Sequence, residues 1–249
     1  MANVGSDFTR RLLIDAGIQT RMRVLDIGCG SGDVTFLASE LVGRGGYVLG
    51  VDREAAPLVA AEKLARERGH VNVEFAQGSF ENVPPDLEPF DAVVGRRVLM
   101  YQSDTVRAVR EIVRYLRPGG IVLFQEHDTT MVPVSLKPMP LHEQVQRWIK
   151  QTIEREGADI HMGFNLHNVL TQAGLAVEHV RAEAIVQTPE NPHAVGAIIR
   201  AMLPRLVEHG VATEDEIEIE TLQHRLDEER LSTNTTYIGD MMFGAWARK

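Results

Sequence analysis

Two groups of residues in this 249-residue chain have types and spacings suited to chemistry. The first is Asp26-Ile27-Gly28-Cys29-Gly30-Ser31-Gly32, followed 20 positions after Gly32 by Asp52. Three glycines at alternate positions let the backbone turn sharply and come within contact distance of a ligand that any Cβ would obstruct. A carboxylate such as Asp52 can accept hydrogen bonds from two vicinal hydroxyls at once, which suits the ribose of a nucleoside. The second group is Glu126-His127-Asp128. His127, with a carboxylate nearby, is the candidate general base: an imidazole can take the proton of a hydroxyl or amine, a contribution of about 10²- to 10⁴-fold. The alternative is a purely structural His127 that bonds the loop after it. Glu126, His127, Asp128 and His161 show no recognised ligand spacing, so no metal is expected.

Regular elements must hold these groups in place. Val24 to Ile27 reads as a strand that runs into the glycine turn, and Asp33 to Leu41 continues as a helix with Val34, Leu37, Ala38 and Leu41 at helical spacing. Tyr47 to Asp52, Val71 to Ala76, Asp91 to Gly95 and Ile121 to Gln125 are further apolar strands. Helices over Pro57 to Arg68 and Asp104 to Leu116 separate them, and a short helix over Asp7 to Ala16 precedes the set. Alternating strands and helices predict an α/β fold with a doubly wound, mostly parallel sheet. In such sheets ligands bind beyond the carboxyl ends of the strands. That rule selects Gly28 to Gly32, Asp52 and Arg53, Gly78 to Phe80, Arg96 to Tyr101 and Glu126 to Asp128.

Composition narrows the partners. Lys and Arg number 26 against 35 Asp and Glu, a net charge of −9 that disfavours attraction to phosphate backbones, so nucleic acid is not an expected partner. The single cysteine, Cys29, cannot form an intramolecular disulfide, and nothing beside it suggests a nucleophile. Met1 to Arg11 has no apolar run of signal-peptide length, and no stretch approaches the ~20 apolar residues of a membrane span. A cytoplasmic protein that does not engage membrane is expected.

Taken in order, Val24 to Gly32, Asp52, Gly78-Ser79-Phe80 and Leu116-Arg117-Pro118-Gly119-Gly120 resemble the motifs of class I S-adenosylmethionine-dependent methyltransferases, from about Arg21 to Gly120. The resemblance implies a Rossmann-like, seven-stranded sheet and S-adenosyl-L-methionine as cofactor. It implies that Asp26 helps hold the methionine ammonium, that the backbone of Gly28, Cys29 and Gly30 passes under methionine and ribose, and that Asp52, with Arg53 next to it, meets the ribose hydroxyls. Gly78, Ser79 and Phe80 fall at the adenine, although Ser79 stands where the family usually has Asp. A nicotinamide dinucleotide shares the glycine turn and Asp52. It would, however, favour Gly-x-Gly-x-x-Gly spacing and gain little from Asp26.

The acceptor side is less marked. Gly95-Arg96-Arg97-Val98-Leu99-Met100-Tyr101 carries no Asn/Asp-Pro-Pro-aromatic motif, which argues against methylation of nucleic-acid bases. Arg96 and Arg97 have two readings, a forked contact to the cofactor carboxylate or to an anionic substrate, and a salt bridge to a nearby Asp or Glu. Arg97, Tyr101 and His161 are the substrate-side candidates and Arg96 a cofactor candidate. One domain spanning 1–249 is expected, with a cofactor core over about 21–127 and a substrate cover over about 129–160 and 188–232. Thr129 to Pro140 reads as a loop, Leu141 to Glu156 and Asn165 to Ala173 as helices, and Ala176 to Gln187 as the sixth strand. His193 to His209 and Thr213 to Leu231 follow as helices, and Thr235 to Ala247 as the last strand. The apolar face of His193 to His209 is open to three readings: core packing, an acceptor pocket, or a homodimer contact. The functional expectation is methyl transfer to oxygen or nitrogen of a small-molecule acceptor. The alternatives are an NAD-dependent oxidoreductase on a related fold and a non-catalytic cofactor-binding partner protein.

Overall fold

The apolar runs form strands that lie side by side, and those at the centre of the sheet are buried on both faces. The structure, a computed structural model, describes residues 4–84 and 88–249, with side chains from residue 7 onward. The first residues of Met1 to Arg11 lie outside the described residues. Strands β1 (Arg23–Ile27), β2 (Tyr47–Asp52), β3 (Val73–Gln77), β4 (Phe90–Arg96) and β5 (Leu116–Asp128) are parallel and stand in the order β3-β2-β1-β4-β5. The last strand, β8 (Tyr237–Arg248), lies antiparallel to β5, and β7 (Ala176–Gln187) lies antiparallel to β8.

The sheet has eight strands where seven are expected, because Val134–Ser135 in the Thr129 to Pro140 loop pairs with β8 as a two-residue strand, β6. The helix expected from Asp104 to Leu116 is α4 (Thr105–Val113), capped by the Asp104 carboxylate on the Arg107 amide at 2.9 Å. Leu116 instead opens β5. Arg117 to Gly120 then bulge from the ladder, since Phe90 pairs with Leu116 and Ala92 already with Ile121.

Strand alternation divides the core into two layers. Val24, Val94, Leu123, Met242 and Trp246 pack on one face against Phe8, Leu12 and Leu13 of α1 (Val4–Asp15) and Val34 and Ala38 of α2 (Asp33–Val42). Leu25, Val93, Phe124 and Phe243 pack on the other face with Val109 and Ile112 of α4 and Leu166 and Leu170 of α6 (Met162–Gln172). A separate apolar cluster joins α5 (Pro140–Arg155) and α7 (Val195–Glu208) to α8 (Glu214–Ile217) and α9 (Ile219–Thr233) through Val145, Trp148, Ile199, Leu206, Ile217 and Leu222. The apolar face of α7 is thus core packing. The single helix expected from Thr213 to Leu231 is broken at Glu218, whose φ of 46° is left-handed. No helix among the described residues is long and apolar enough to cross a membrane.

Leu12 is fully buried and fills the space over Gly244 of β8, where an added Cβ would lie 2.3 Å from Leu12 Cδ1. Leu12→Ala is expected to destabilise the fold by about 2–5 kcal/mol. Adding Gly244→Ala should recover part of that loss, because the new methyl enters the cavity. Urea unfolding midpoints of the two single variants and the double variant check this.

Candidate functional site

The glycine turn is placed by the end of its neighbouring strand. The Gly28 and Cys29 amides donate to the Val51 carbonyl at 2.7 and 3.0 Å, and the Gly30 amide donates to Asp52 Oδ2 at 2.8 Å. Asp52 Oδ1 accepts from the Glu54 amide at 3.0 Å. Gly28 and Gly30 have φ of 69° and 52°, in the left-handed region. A Cβ on Gly28 would sit 2.5 Å from Val98 Cγ2, whereas one on Gly30 would meet no protein atom within 4 Å. The turn is therefore packed below and open above Gly30. Gly78 lies beside it, its amide donating to the Asp52 carbonyl at 2.9 Å.

Asp26 lies beneath the turn, 1% exposed. Its Oδ2 accepts from the Thr35 hydroxyl at 2.6 Å, and its Oδ1 has no partner among the described residues. Burial pushes its carboxyl up to about 7, against the pull of Thr35 and of the Arg96 charge. Burial likewise pushes the Cys29 thiol above its ordinary range, so it is a neutral small side chain in the turn.

A row of polar residues continues across the same face. Arg96, at the end of β4, pairs with Asp33 at 3.0 Å and reaches the Thr9 hydroxyl of α1 at 3.5 Å. Thr9 donates to Gln125 Oε1 of β5 at 2.6 Å. For Arg96 the salt bridge exists. Two residues beyond Gln125, on the same face, His127 Nδ1 lies 2.7 Å from Asp240 Oδ2 of β8, and both side chains are mostly buried. Asp240 Oδ1 accepts from the Met241 amide at 2.7 Å. His193 lies near this pair: burial lowers its pKa, and the nearby His127 lowers it further.

The carboxylates adjacent to His127 in sequence point away from it, to the other face of the sheet. Glu126 is fully buried and accepts from the Val98 and Leu99 amides at 3.0 and 2.8 Å, and burial pushes its carboxyl up to about 7. Asp128 accepts from the Thr130 amide at 2.9 Å and faces His161 Nδ1 at 3.7 Å. His161 is therefore on the face opposite to His127. The Phe80 side chain does not face the turn, because it is buried in the core beside Phe124, with ring centroids 6.4 Å apart. Ser79 donates to Glu81 at 3.1 Å, and the exposed Arg53 side chain lies 3.5 Å from Glu54. Arg97, also left-handed at φ 55°, is anchored by its amide to the Gln125 carbonyl at 2.8 Å. The Tyr101 hydroxyl accepts from Arg205 of α7 at 3.3 Å, tying the helical cover to the strand edge.

Sequence reasoning missed Thr9, Thr35 and Asp240. Asp240 lies 113 positions from His127, and only the antiparallel pairing of β8 with β5 joins them. No local pattern marks it. Among the described residues no group of three or more His, Cys, Asp or Glu could hold a metal ion.

An acid whose pKa rises on folding takes up protons on folding. Its contribution to stability therefore falls as pH rises from the ordinary value of 3.8 through about 7, and then levels off. Asp26→Asn removes this dependence. Urea unfolding at pH 5 and pH 8 is expected to show that the variant loses less stability between the two than the unsubstituted chain, by an amount on the order of a few kcal/mol.

Residues 18–174 match the family model described as a methyltransferase domain. The demethylmenaquinone methyltransferase of Lactococcus lactis is 34% identical over 126 residues, 51% of this chain and 50% of that protein. The ubiquinone/menaquinone biosynthesis C-methyltransferase UbiE of Idiomarina loihiensis is 37% identical over 119 residues, 47% of each chain. The chain thus spans about half the length of the curated relatives it matches. The solved structure of YcgJ from Bacillus subtilis aligns with a TM-score of 0.62 at 21% identity over 98% of both chains. The cyclase SpnF aligns with a TM-score of 0.61 at 22% identity, over 100% of this chain and 83% of that one. At such identities the likeness extends to the fold alone. The family-model match covers more than half of the chain and includes the strand, glycine turn and acidic strand end described above: the chain belongs to the class I S-adenosylmethionine-dependent methyltransferases, transferases whose cofactor is S-adenosyl-L-methionine.

Proposed function

We propose that this protein transfers a methyl group from S-adenosyl-L-methionine to an oxygen or nitrogen of a small-molecule acceptor bound over the carboxyl ends of β4 and β5. The observation that carries the acceptor side is the His127–Asp240 pair, 2.7 Å apart at the end of β5 and on the face of the polar row. The residues of the turn fit the cofactor. Among the described residues, open space lies over Gly30 and Asp26 keeps one buried oxygen without a partner, and each Asp52 oxygen makes one hydrogen bond and retains a lone pair for a ribose hydroxyl. Asp26 and the backbone of Gly28, Cys29 and Gly30 would hold the methionine part, Asp52 the ribose, and the Gly78-Ser79 backbone the adenine. When bound, the cofactor supplies a methyl group on a sulfonium sulfur, a good leaving group.

The protein's own part is alignment and proton removal. Orienting two reactants is worth about 7–11 kcal/mol of barrier. Asp240 holds the Nδ1 side of His127, which leaves Nε2 to take the acceptor's proton and lets Asp240 stabilise the imidazolium that forms. Arg96 balances the charge of Asp26 and anchors α1 through Thr9. Arg97 and Tyr101 lie on the strand-edge segment that faces the helical cover.

Carbon methylation is the second reading, favoured by the likeness to the C-methyltransferase UbiE of Idiomarina loihiensis. A carbon nucleophile made by deprotonating an enol or phenol would use the same base. Incubation with ¹³C-methyl-labelled cofactor and a metabolite panel separates the readings, since O-, N- and C-methyl carbons have distinct NMR shifts. Failure to label any acceptor would overturn both.

Two outcomes are expected. His127→Ala lowers kcat by about 10²- to 10⁴-fold, and Asp240→Asn lowers kcat less. An unchanged kcat in His127→Ala would remove the base. Gly30→Ala costs the fold only about 1–2 kcal/mol for its left-handed φ, yet weakens cofactor binding more than about 10-fold in calorimetry, because its methyl enters the open space above the turn.

A further inference from the structure

A cleft of about 350 Å³ opens between the segment after β5, helix α5 and the start of β8, and Asp240 forms part of its wall. Asp240 thus belongs both to the cleft wall and to the pair with His127. Its size lies in the range of small-molecule sites, about 300–1,000 Å³. Helix α5 turns an unusual face to it. Glu143, Gln146, Arg147 and Lys150 recur at i, i+3, i+4 and i+7 and line the cleft, while Val145, Trp148 and Thr152 on the opposite face are buried.

Hydrogen-bond donors exceed acceptors along this wall. Arg147 carries five N–H donors and commits one nitrogen to Gln144 Oε1 at 2.7 Å. Its approach to Glu143, 4.0 Å, and that of Lys150 to Glu154, 3.9 Å, are longer than hydrogen bonds. Opposite them, the buried Thr129 Oγ1 has no partner among the described residues. Asp240 accepts one hydrogen bond on each oxygen, from His127 and from the Met241 amide, and with Glu143 supplies the acidic part of the wall. On the remaining side Met131, Val132 and Pro133 give an apolar lip, with Val132 77% exposed.

We propose that this cleft is the acceptor subsite and that it takes an amphipathic anion, a carboxylate or phosphate monoester on an apolar body, with Arg147, Lys150 and Thr129 on the anionic group and the 131–133 lip against the body. Charge-assisted hydrogen bonds to a guanidinium and an ammonium are the strong kind, and two cations whose carboxylate partners lie beyond hydrogen-bond distance, beside a buried hydroxyl, match an anion's oxygens. Asp240 links the wall of this cleft to His127. The identity of the ligand as methyl acceptor rests on the function proposed above, whereas the preference for an anion rests on the cleft alone.

The test reads binding without turnover. The full chain, loaded with S-adenosylhomocysteine, is titrated with phenylacetate, phenyl phosphate and neutral phenylacetamide by ligand-observed NMR. At least one anion is expected to bind saturably and about 10-fold or more tightly than the amide. Arg147→Gln with Lys150→Gln should weaken that anion about 10-fold or more, with S-adenosylhomocysteine affinity and melting temperature unchanged, and Thr129→Val should weaken it to a smaller degree. The tighter of the two anions tells carboxylate from phosphate. Binding of neither anion, equal binding of the amide, or an unweakened double variant would overturn the proposal. Absence of methyl transfer to any acceptor would overturn the proposed function and leave these titrations standing.

Discussion

The hydrogen bond from the Gly30 amide to Asp52 Oδ2, 2.8 Å long, fixes the ligand edge of this molecule. Where a parallel strand ends, the next backbone amides lose their ladder partners and must find others. The first two after β1 reach the Val51 carbonyl, and the third is satisfied only by a side chain of the adjacent strand end. The chain must therefore lie over the tip of β2 before it can start α2. That path demands left-handed φ values at Gly28 and Gly30, and it covers Asp26. A buried carboxyl with one unpartnered oxygen is unfavourable for an isolated fold. In the proposed function this oxygen is the one that meets the cofactor.

Strand alternation decides which edge residues can cooperate. Successive side chains of β5 point to opposite faces, so Gln125 and His127 join Asp26 and Arg96 on the α1 side, while Glu126 and Asp128 serve the α6 side. Glu126 carries a raised pKa, yet its hydrogen bonds to the Val98 and Leu99 amides give it a structural task, securing the turn that places Arg97 and Tyr101. His127 and Glu126 are sequence neighbours with no shared chemistry. The partner of His127 comes instead from β8, which reaches β5 after the whole helical cover has intervened.

How much could be read from the chain follows from these distances along it. The strand-turn-helix unit at Asp26 to Leu41, the acidic end of β2 and the exact spans of β2 and β7 are local patterns, and they were legible. The two-residue β6 was not, because its pairing is dictated by β8 rather than by its own residues. The break at Glu218 carries no Gly or Pro to announce it. Phe80 stood in the right segment for a cofactor contact, but its apolar ring is buried against Phe124, an outcome that only the packing of β5 decides. Asp240 and Thr9 act through contacts 113 and 116 positions away, beyond any motif.

This division has a consequence for substrate choice. The family match covers 18–174, which holds β1 to β6 with α5 and α6, and leaves β7, β8 and the helices α7 to α9 outside it. Those outer helices have their own apolar cluster with α5 and are joined to the strand edge at a few polar points, Tyr101 with Arg205 among them. A cover stabilised by its own core can vary its cleft-facing residues, such as Arg147 and Lys150, while the layers of the sheet stay packed. The glycine turn is then set by hydrogen bonds between neighbouring strand ends, and the His127–Asp240 pair by a contact across 113 positions.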